Sequence, residues 1–201
     1  MFRPILAIIL ITAAYLVSCS SPTSNVETPA QPPALENLGE LPPEFTPDRP
    51  TAIPLDSFQE QTQEELRQSI TEASEETAYN STFFIEVVSE NLQKETLSVQ
   101  TRSYLLGLIF DNSATSEHAR ALIGLYLQKF GVEANLITDT LSSLLPELEI
   151  ISTTSKEIEA ILIQDSGTPL TSIKGFDELL LDLEAASSKI LSLLPTLRTI
   201  E

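Results

Sequence analysis

From Asp56 onward the apolar residues fall at helical intervals, and the clearest run is at the end of the chain. Phe176, Leu180, Leu183, Ser187, Ile190, Leu194 and Leu197 alternate steps of four and three. That spacing places them on one seam of a helix. Tyr79, Phe83, Phe84, Val87, Val88 and Leu92 form a broader stripe of the same period, preceded by an acidic stretch, FQEQTQEELRQSITEASEET, with a thin apolar line at Phe58, Leu66, Ile70 and Ala73. Asp56 or Ser57 is placed to cap that first helix, and Asn80-Ser81-Thr82 to break or kink the two. RSYLLGLIF is apolar enough for a buried helix or a strand, and periodicity does not decide between them. DNSATSEHARALIGLYLQKFG reads as a helix capped near residues 113–116, with Leu122, Ile123, Tyr126, Leu127 and Phe130 inside and Gly131 as its stop. VEANLITDTLSSLLPEL carries Ile137, Leu141, Leu144, Leu145 and Leu148 on one face, and Pro146 is expected to end or bend it. A shorter helix is expected over residues 155–164, and DSGTPLTSIKG reads as a loop. The pattern predicts an all-α helical bundle of five to seven helices over residues 56–201.

Upstream of Asp56 the periodicity stops. Residues 20–55 hold nine of the chain's 13 prolines. Proline removes backbone donors and biases its neighbours toward extended backbone, so neither helix nor sheet propagates there. Residues 19–55 therefore read as a disordered Pro-rich tether whose contour, if largely polyproline-like, approaches roughly 100 Å. A PxxP-type recognition peptide is the alternative reading of the same prolines.

The first 19 residues have a third character. MFRPILAIILITAAYLVSC has one positive charge at Arg3, an apolar segment from Ile5 to about Leu16, and the chain's single cysteine, Cys19. This is the layout of a secretory signal, too short for a spanning helix. Leu16-Val17-Ser18-Cys19 resembles the bacterial lipobox. The resemblance implies that residues 1–18 are removed as a lipoprotein signal peptide, that Cys19 receives a diacylglycerol and often an acylated amino group, and that it becomes the first mature residue. Two or three chains make membrane attachment stable where one does not. Ser20, where the family places Asp in proteins held at the inner membrane, resembles an outer-membrane-directed case if the cell has two membranes.

Composition narrows the partners. The formal charge is −18 with a pI near 4.2. Loss of Arg3 with the signal would leave 10 basic against 29 acidic residues, a net charge of −19. No Lys/Arg cluster is present, which argues against nucleic acid and anionic headgroups as partners. One cysteine excludes an intramolecular disulfide, a CxxC redox motif and a Cys-rich zinc site.

Candidate chemistry concentrates in LLGLIFDNSAT, where an apolar run ends in Asp111-x-Ser113-x-Thr115. This string resembles the metal-adhesion motif of von Willebrand A-type domains, and the resemblance implies a divalent ion held by Asp111, Ser113 and Thr115, with Thr168 or Thr171 from GTPLT as a further ligand. The chain departs from that family in its order, because LITD, ending at Asp139, precedes GTPLT and no TDG-like string follows; strand-rich runs are also lacking. Helix capping accounts for the same residues. His118, the only histidine, could pair with Ser113 or Ser116 in a nucleophile–base arrangement, but no GxSxG context surrounds it, and beside Glu117 and Arg120 it reads as a solvated helix face. Glu64-Glu65 and Glu75-Glu76 could perform acid–base work and read instead as an exposed charged face. No catalytic residue, metal site or cofactor is assigned, and Cys19 is the one site residue, for lipidation.

The function expected is that of a noncatalytic, membrane-tethered interaction or scaffold module of the bacterial cell envelope, on the extracytoplasmic side. Its expected partners are the lipid bilayer, through acylated Cys19, and an envelope protein. A small-ligand or divalent-cation binding lipoprotein is the alternative, and an envelope hydrolase the third.

Overall fold

The computed structural model describes residues 54–92, 96–131, 135–164 and 168–199. The signal-like segment, Cys19 and the Pro-rich stretch through residue 53 lie outside them, as do the expectations made for those residues.

The described residues form four long helices: α1 (Gln63–Asn91), α2 (Val99–Phe130), α3 (Leu136–Gln164) and α4 (Phe176–Arg198). Two 3-10 turns, Leu55–Phe58 and Leu170–Ser172, precede α1 and α4. No strand occurs among the described residues. The all-α class stands, whereas the expected count of five to seven falls to four because several anticipated breaks lie inside continuous helices.

The physical reason is what the polar residues bond to. Thr77, Ser81 and Thr82 donate their hydroxyls to the carbonyls of Ala73, Thr77 and Ala78, four residues back, so Asn80-Ser81-Thr82 stays helical. Thr115 and Ser116 likewise donate to the carbonyls of Asp111, four residues back, and Ser113, three back, so the expected cap at 113–116 lies within α2, whose actual N-cap is Ser98, accepting from the Thr101 amide at 3.0 Å. RSYLLGLIF is the N-terminal third of that helix. Pro146 sits exposed inside α3, which continues past it to Gln164 and absorbs the short helix expected at residues 155–164. An outward-facing proline leaves the freed carbonyl of Ser142 one turn earlier to water, the cheapest way for a helix to carry it. The cap of α1 is Thr62 rather than Asp56 or Ser57. Thr62 Oγ1 accepts from the Glu65 amide and Glu65 Oε2 accepts from the Thr62 amide at 2.8 Å, a capping box. The Thr62 amide, and next the Thr62 hydroxyl, which donates to the same Oε2 at 2.8 Å, hold the Glu65 carboxyl below the usual glutamate range.

Cross-helix bonds fix the arrangement. Gln63 Nε2 donates to the Tyr126 hydroxyl at 2.8 Å and Ser81 to Asn112 at 2.9 Å, so α1 and α2 run antiparallel. Asn112 with Ser155, and Arg120 with Glu149, do the same for α2 and α3. Each helix packs on its neighbour in sequence, α4 closes back on α1, and the diagonal α1–α3 approach is slight. This is an up-down-up-down four-helix bundle. All seven residues of the α4 seam are buried, as the spacing predicts. Gly175, at φ 84°, supplies the left-handed residue that turns the chain into α4.

Candidate functional site

The Asp111-x-Ser113-x-Thr115 string lies in mid-α2 rather than at the end of a strand, and helix geometry separates its members. Asp111 and Thr115 are one turn apart on the same edge, Asp111 exposed and Thr115 half-buried, while Ser113 is turned into the bundle. The Thr115 hydroxyl is occupied by the Asp111 carbonyl at 2.9 Å. Partial desolvation raises the Asp111 carboxyl above the usual aspartate range. Asp139 lies in the first turn of α3, 16 residues before Ser155, the α3 partner of Asn112. That places it about 24 Å away along the helix. Thr168 and Thr171 belong to the α3–α4 connection. The von Willebrand-type constellation is thus not assembled, because its residues are spent on one helix. Among the described residues no group of three or more His, Cys, Asp or Glu is placed to hold a metal ion.

Asn112, between these residues, has the role that the sequence reading missed. It is fully buried, and its amide joins three helices. Oδ1 accepts from Ser81 Oγ of α1 at 2.9 Å, and Nδ2 donates to Ser155 Oγ of α3 at 3.3 Å. Ser81 shares its one proton between Asn112 and the Thr77 carbonyl, 3.0 Å away. A buried amide is tolerated only when its donors and acceptors are matched, and here the match is to specific residues of neighbouring helices. The network sets which helices meet at this level. The signal available in the sequence was the polar string Asp-Asn-Ser inside an otherwise apolar run, which also fits a cap.

Ser74 on α1 is the counterexample. Its hydroxyl is fully buried with no hydrogen-bond partner among the described residues. Ser74→Ala, which removes a desolvated donor and acceptor and keeps the helix, is expected to stabilise the bundle by about 1 kcal/mol. A chemical-denaturation midpoint that falls instead of rising would show that the hydroxyl is satisfied in solution.

His118 faces the entry strap rather than a nucleophile. Its ring lies 5.4 Å from that of Phe58, tilted by 58°, and burial pushes its pKa below the ordinary histidine value. The strap, residues 54–61, is bound at a second point, where Lys129 Nζ donates to the carbonyls of Gln59 at 2.7 Å and Gln61 at 3.0 Å. Ser69 of α1 reaches the Gln61 side chain at 3.4 Å. The strap therefore packs on α2, with its last residue also tied to α1. Glu117, next to His118, turns the other way, to Lys156 and Ser152 of α3; chiefly the Lys156 hydrogen bond holds its carboxyl below the usual glutamate range.

A cleft of about 350 Å³ opens where α1 begins and α4 ends, lined by Glu64, Arg67, Glu72, Glu75, Leu197 and Arg198, among others. Arg67 is 7% exposed and spans it. Its guanidinium donates to both Glu64 carboxylate oxygens, at 2.6 and 2.9 Å, and to the Leu197 carbonyl near the end of α4. Arg198 pairs with Glu75 across the same gap. Thus the Glu75 ion pair ties α4 to α1, Glu64 pairs within α1 with the Arg67 that reaches Leu197, Glu65 caps α1 and Glu76 is exposed. The arrangement closes the bundle with charge, and it brings no two carboxylates into an acid–base pair.

No helix among the described residues is long and apolar enough to cross a membrane. Comparison with protein-family models, with curated proteins and with solved structures finds no match to this chain.

Proposed function

We propose that this chain is a membrane-tethered lipoprotein whose helical bundle acts as a noncatalytic interaction or scaffold module of the bacterial cell envelope. The observation that carries the tether is the sole cysteine at the end of the N-terminal apolar run, in Leu16-Val17-Ser18-Cys19. Diacylglycerol on the Cys19 thiol and acylation of its freed amino group would provide the two or more chains that stable anchoring needs. The noncatalytic reading is supported by how the polar side chains are used: Ser81, Asn112 and Ser155 bond one another, Thr115 and Ser116 bond their own helix, and His118 packs on Phe58. These contacts hold helices in place and leave the outer faces for recognition. The strongly acidic balance favours a neutral or cationic envelope partner.

The test is intact-mass analysis of the membrane fraction from the native host, wild type against Cys19→Ala. The expected result is a mature chain beginning at Cys19 with added acyl mass, and loss of both the acyl mass and the membrane association in the variant. An unacylated Cys19 in the wild type would overturn the tether.

A further inference from the structure

We propose that the α1–α4 face, from the cleft at Glu72 to the rings of Tyr79 and Phe83, docks a basic segment of an envelope protein, with a Lys or Arg side chain in the cleft and an apolar one on the rings. The inference deepens the interaction-module reading above and rests on it.

The cleft locates the face. Glu72 and Glu75 of α1 line it together with Leu197 and Arg198 of α4, so this side of α1 is turned toward α4. Tyr79 and Glu86 follow Glu72 at intervals of seven residues, with Glu76 and Phe83 between them, which keeps all five on one side of the helix. Tyr79 therefore stands two turns beyond the cleft, about 10 Å along α1. On the antiparallel α4, Leu191 lies two turns before Arg198 and so advances from the Glu75–Arg198 ion pair in the same direction. Tyr79 is 53% exposed and Leu191 46%. The Tyr79 ring is parallel to that of Phe83 within 1°, 6.4 Å away. An apolar centre thus sits among the exposed carboxylates of Glu72, Glu76 and Glu86.

Charge selects the occupant. Within the cleft Arg67 pairs with Glu64 and Arg198 with Glu75, whereas Glu72 accepts from the neutral amide of Gln68 at 2.8 Å. The charged lining is therefore three carboxylates against two guanidiniums, and the excess is negative. A cationic side chain entering there neutralises it, and the ring faces next to it attract cations as well as apolar groups. The rings give a protein segment the anchor that a free cation lacks, inside the polar rim that protein interfaces share. A second copy of this chain would set acidic rim against acidic rim, and residues 20–53 carry five acidic residues against Arg49, so neither complements the face.

Site-specific photo-crosslinking in the native host tests it, with p-benzoylphenylalanine in place of Leu191 in the full chain and, as control, in place of the exposed Ser143 of α3. The expected result is an adduct from position 191 with another protein, whose cross-linked peptide, read by tandem mass spectrometry, holds more Lys and Arg than Asp and Glu. Its yield should fall about fivefold in Tyr79→Ser, in keeping with loss of one aromatic contact, and by more than about tenfold in Glu72→Lys, which sets like charges together. Both positions are exposed, so the bundle is kept. An adduct from 143 and none from 191 would overturn this face and leave the interaction-module reading standing. The proposal is equally overturned by no adduct from either position, by an adduct to a second copy, to residues 20–53 or to an acidic segment, or by a yield that neither substitution changes. The mass comparison with Cys19→Ala reads the tether separately.

Discussion

Asn112→Asp is expected to destabilise the bundle by about 3–5 kcal/mol at neutral pH, the cost of leaving an uncompensated charge inside a protein, and to lose most of that penalty in acid. Asn112 is fully buried, and its neighbours are the hydroxyls of Ser81 and Ser155. A carboxylate of the same shape would meet those hydroxyls rather than a cation. Burial disfavours the charged form, so the introduced aspartate would have a folded-state pKa above its unfolded value. A carboxyl shifted in that sense destabilises the fold when ionised and stops doing so once protonated, when its O–H can take over the bond to Ser155. The deficit relative to wild type should therefore be full above the raised pKa and shrink as pH falls through it toward the ordinary aspartate value. Taking the difference between variant and wild type removes shared acid effects. One such effect is the contribution of Glu117, whose lowered pKa gives stability present above the unfolded glutamate value and lost as pH falls through the folded one. Urea denaturation at several pH values between 4 and 8 gives the curve. A deficit independent of pH would mean that water reaches the site and that the Ser81–Asn112–Ser155 bridge is not dry.

Phe176→Ala should cost about 3–5 kcal/mol, the range for truncating a fully buried aromatic ring. Phe176 is the first residue of α4, has no exposed surface, and follows the left-handed Gly175. It starts the seam that continues through Leu180 and Leu183, so the cavity would open where the chain turns into its last helix. The expected signature is a lower denaturation midpoint with earlier hydrogen exchange at the start of α4 than at its end, where Arg67 and Glu75 hold Leu197 and Arg198. Uniform loss of protection along α4 would instead mean that the helix detaches as one unit.

Phe176 and Asn112 show how differently the two levels of information behave. The seam from Phe176 to Leu197 was legible because periodicity is local: a helix repeats every 3.6 residues whatever it packs against, so apolar steps of three and four reveal both the helix and its buried face. The same logic identified the core of α1 at Phe84, Val87 and Val88 and that of α2 at Leu122, Ile123 and Tyr126, all of which are buried. Helix ends were less legible. Asp111-Asn112-Ser113 and Asn80-Ser81-Thr82 have the side chains that cap helices, and a short hydroxyl or amide serves equally well at a terminus or bonded back to a carbonyl one turn earlier. Thr62, at the true start of α1, was marked by the Glu three residues on, a capping-box signal that was in the sequence and was passed over for Asp56.

The sequence by itself determined that the chain from about residue 56 onward is predominantly helical, which faces of most of those helices are apolar, that it has no run of clustered Lys and Arg, and that the only cysteine closes an apolar N-terminal run. These follow from local geometry and composition. Only the tertiary structure decided that the apparent breaks at residues 80–82 and 111–116 are helix interior, that Asn112 bridges three helices, that Arg67 reaches the end of α4, and that Tyr79 and Phe83 stack on an outer face. Each of these depends on a partner from another helix or another turn, and the free energy of a polar side chain is set by that partner.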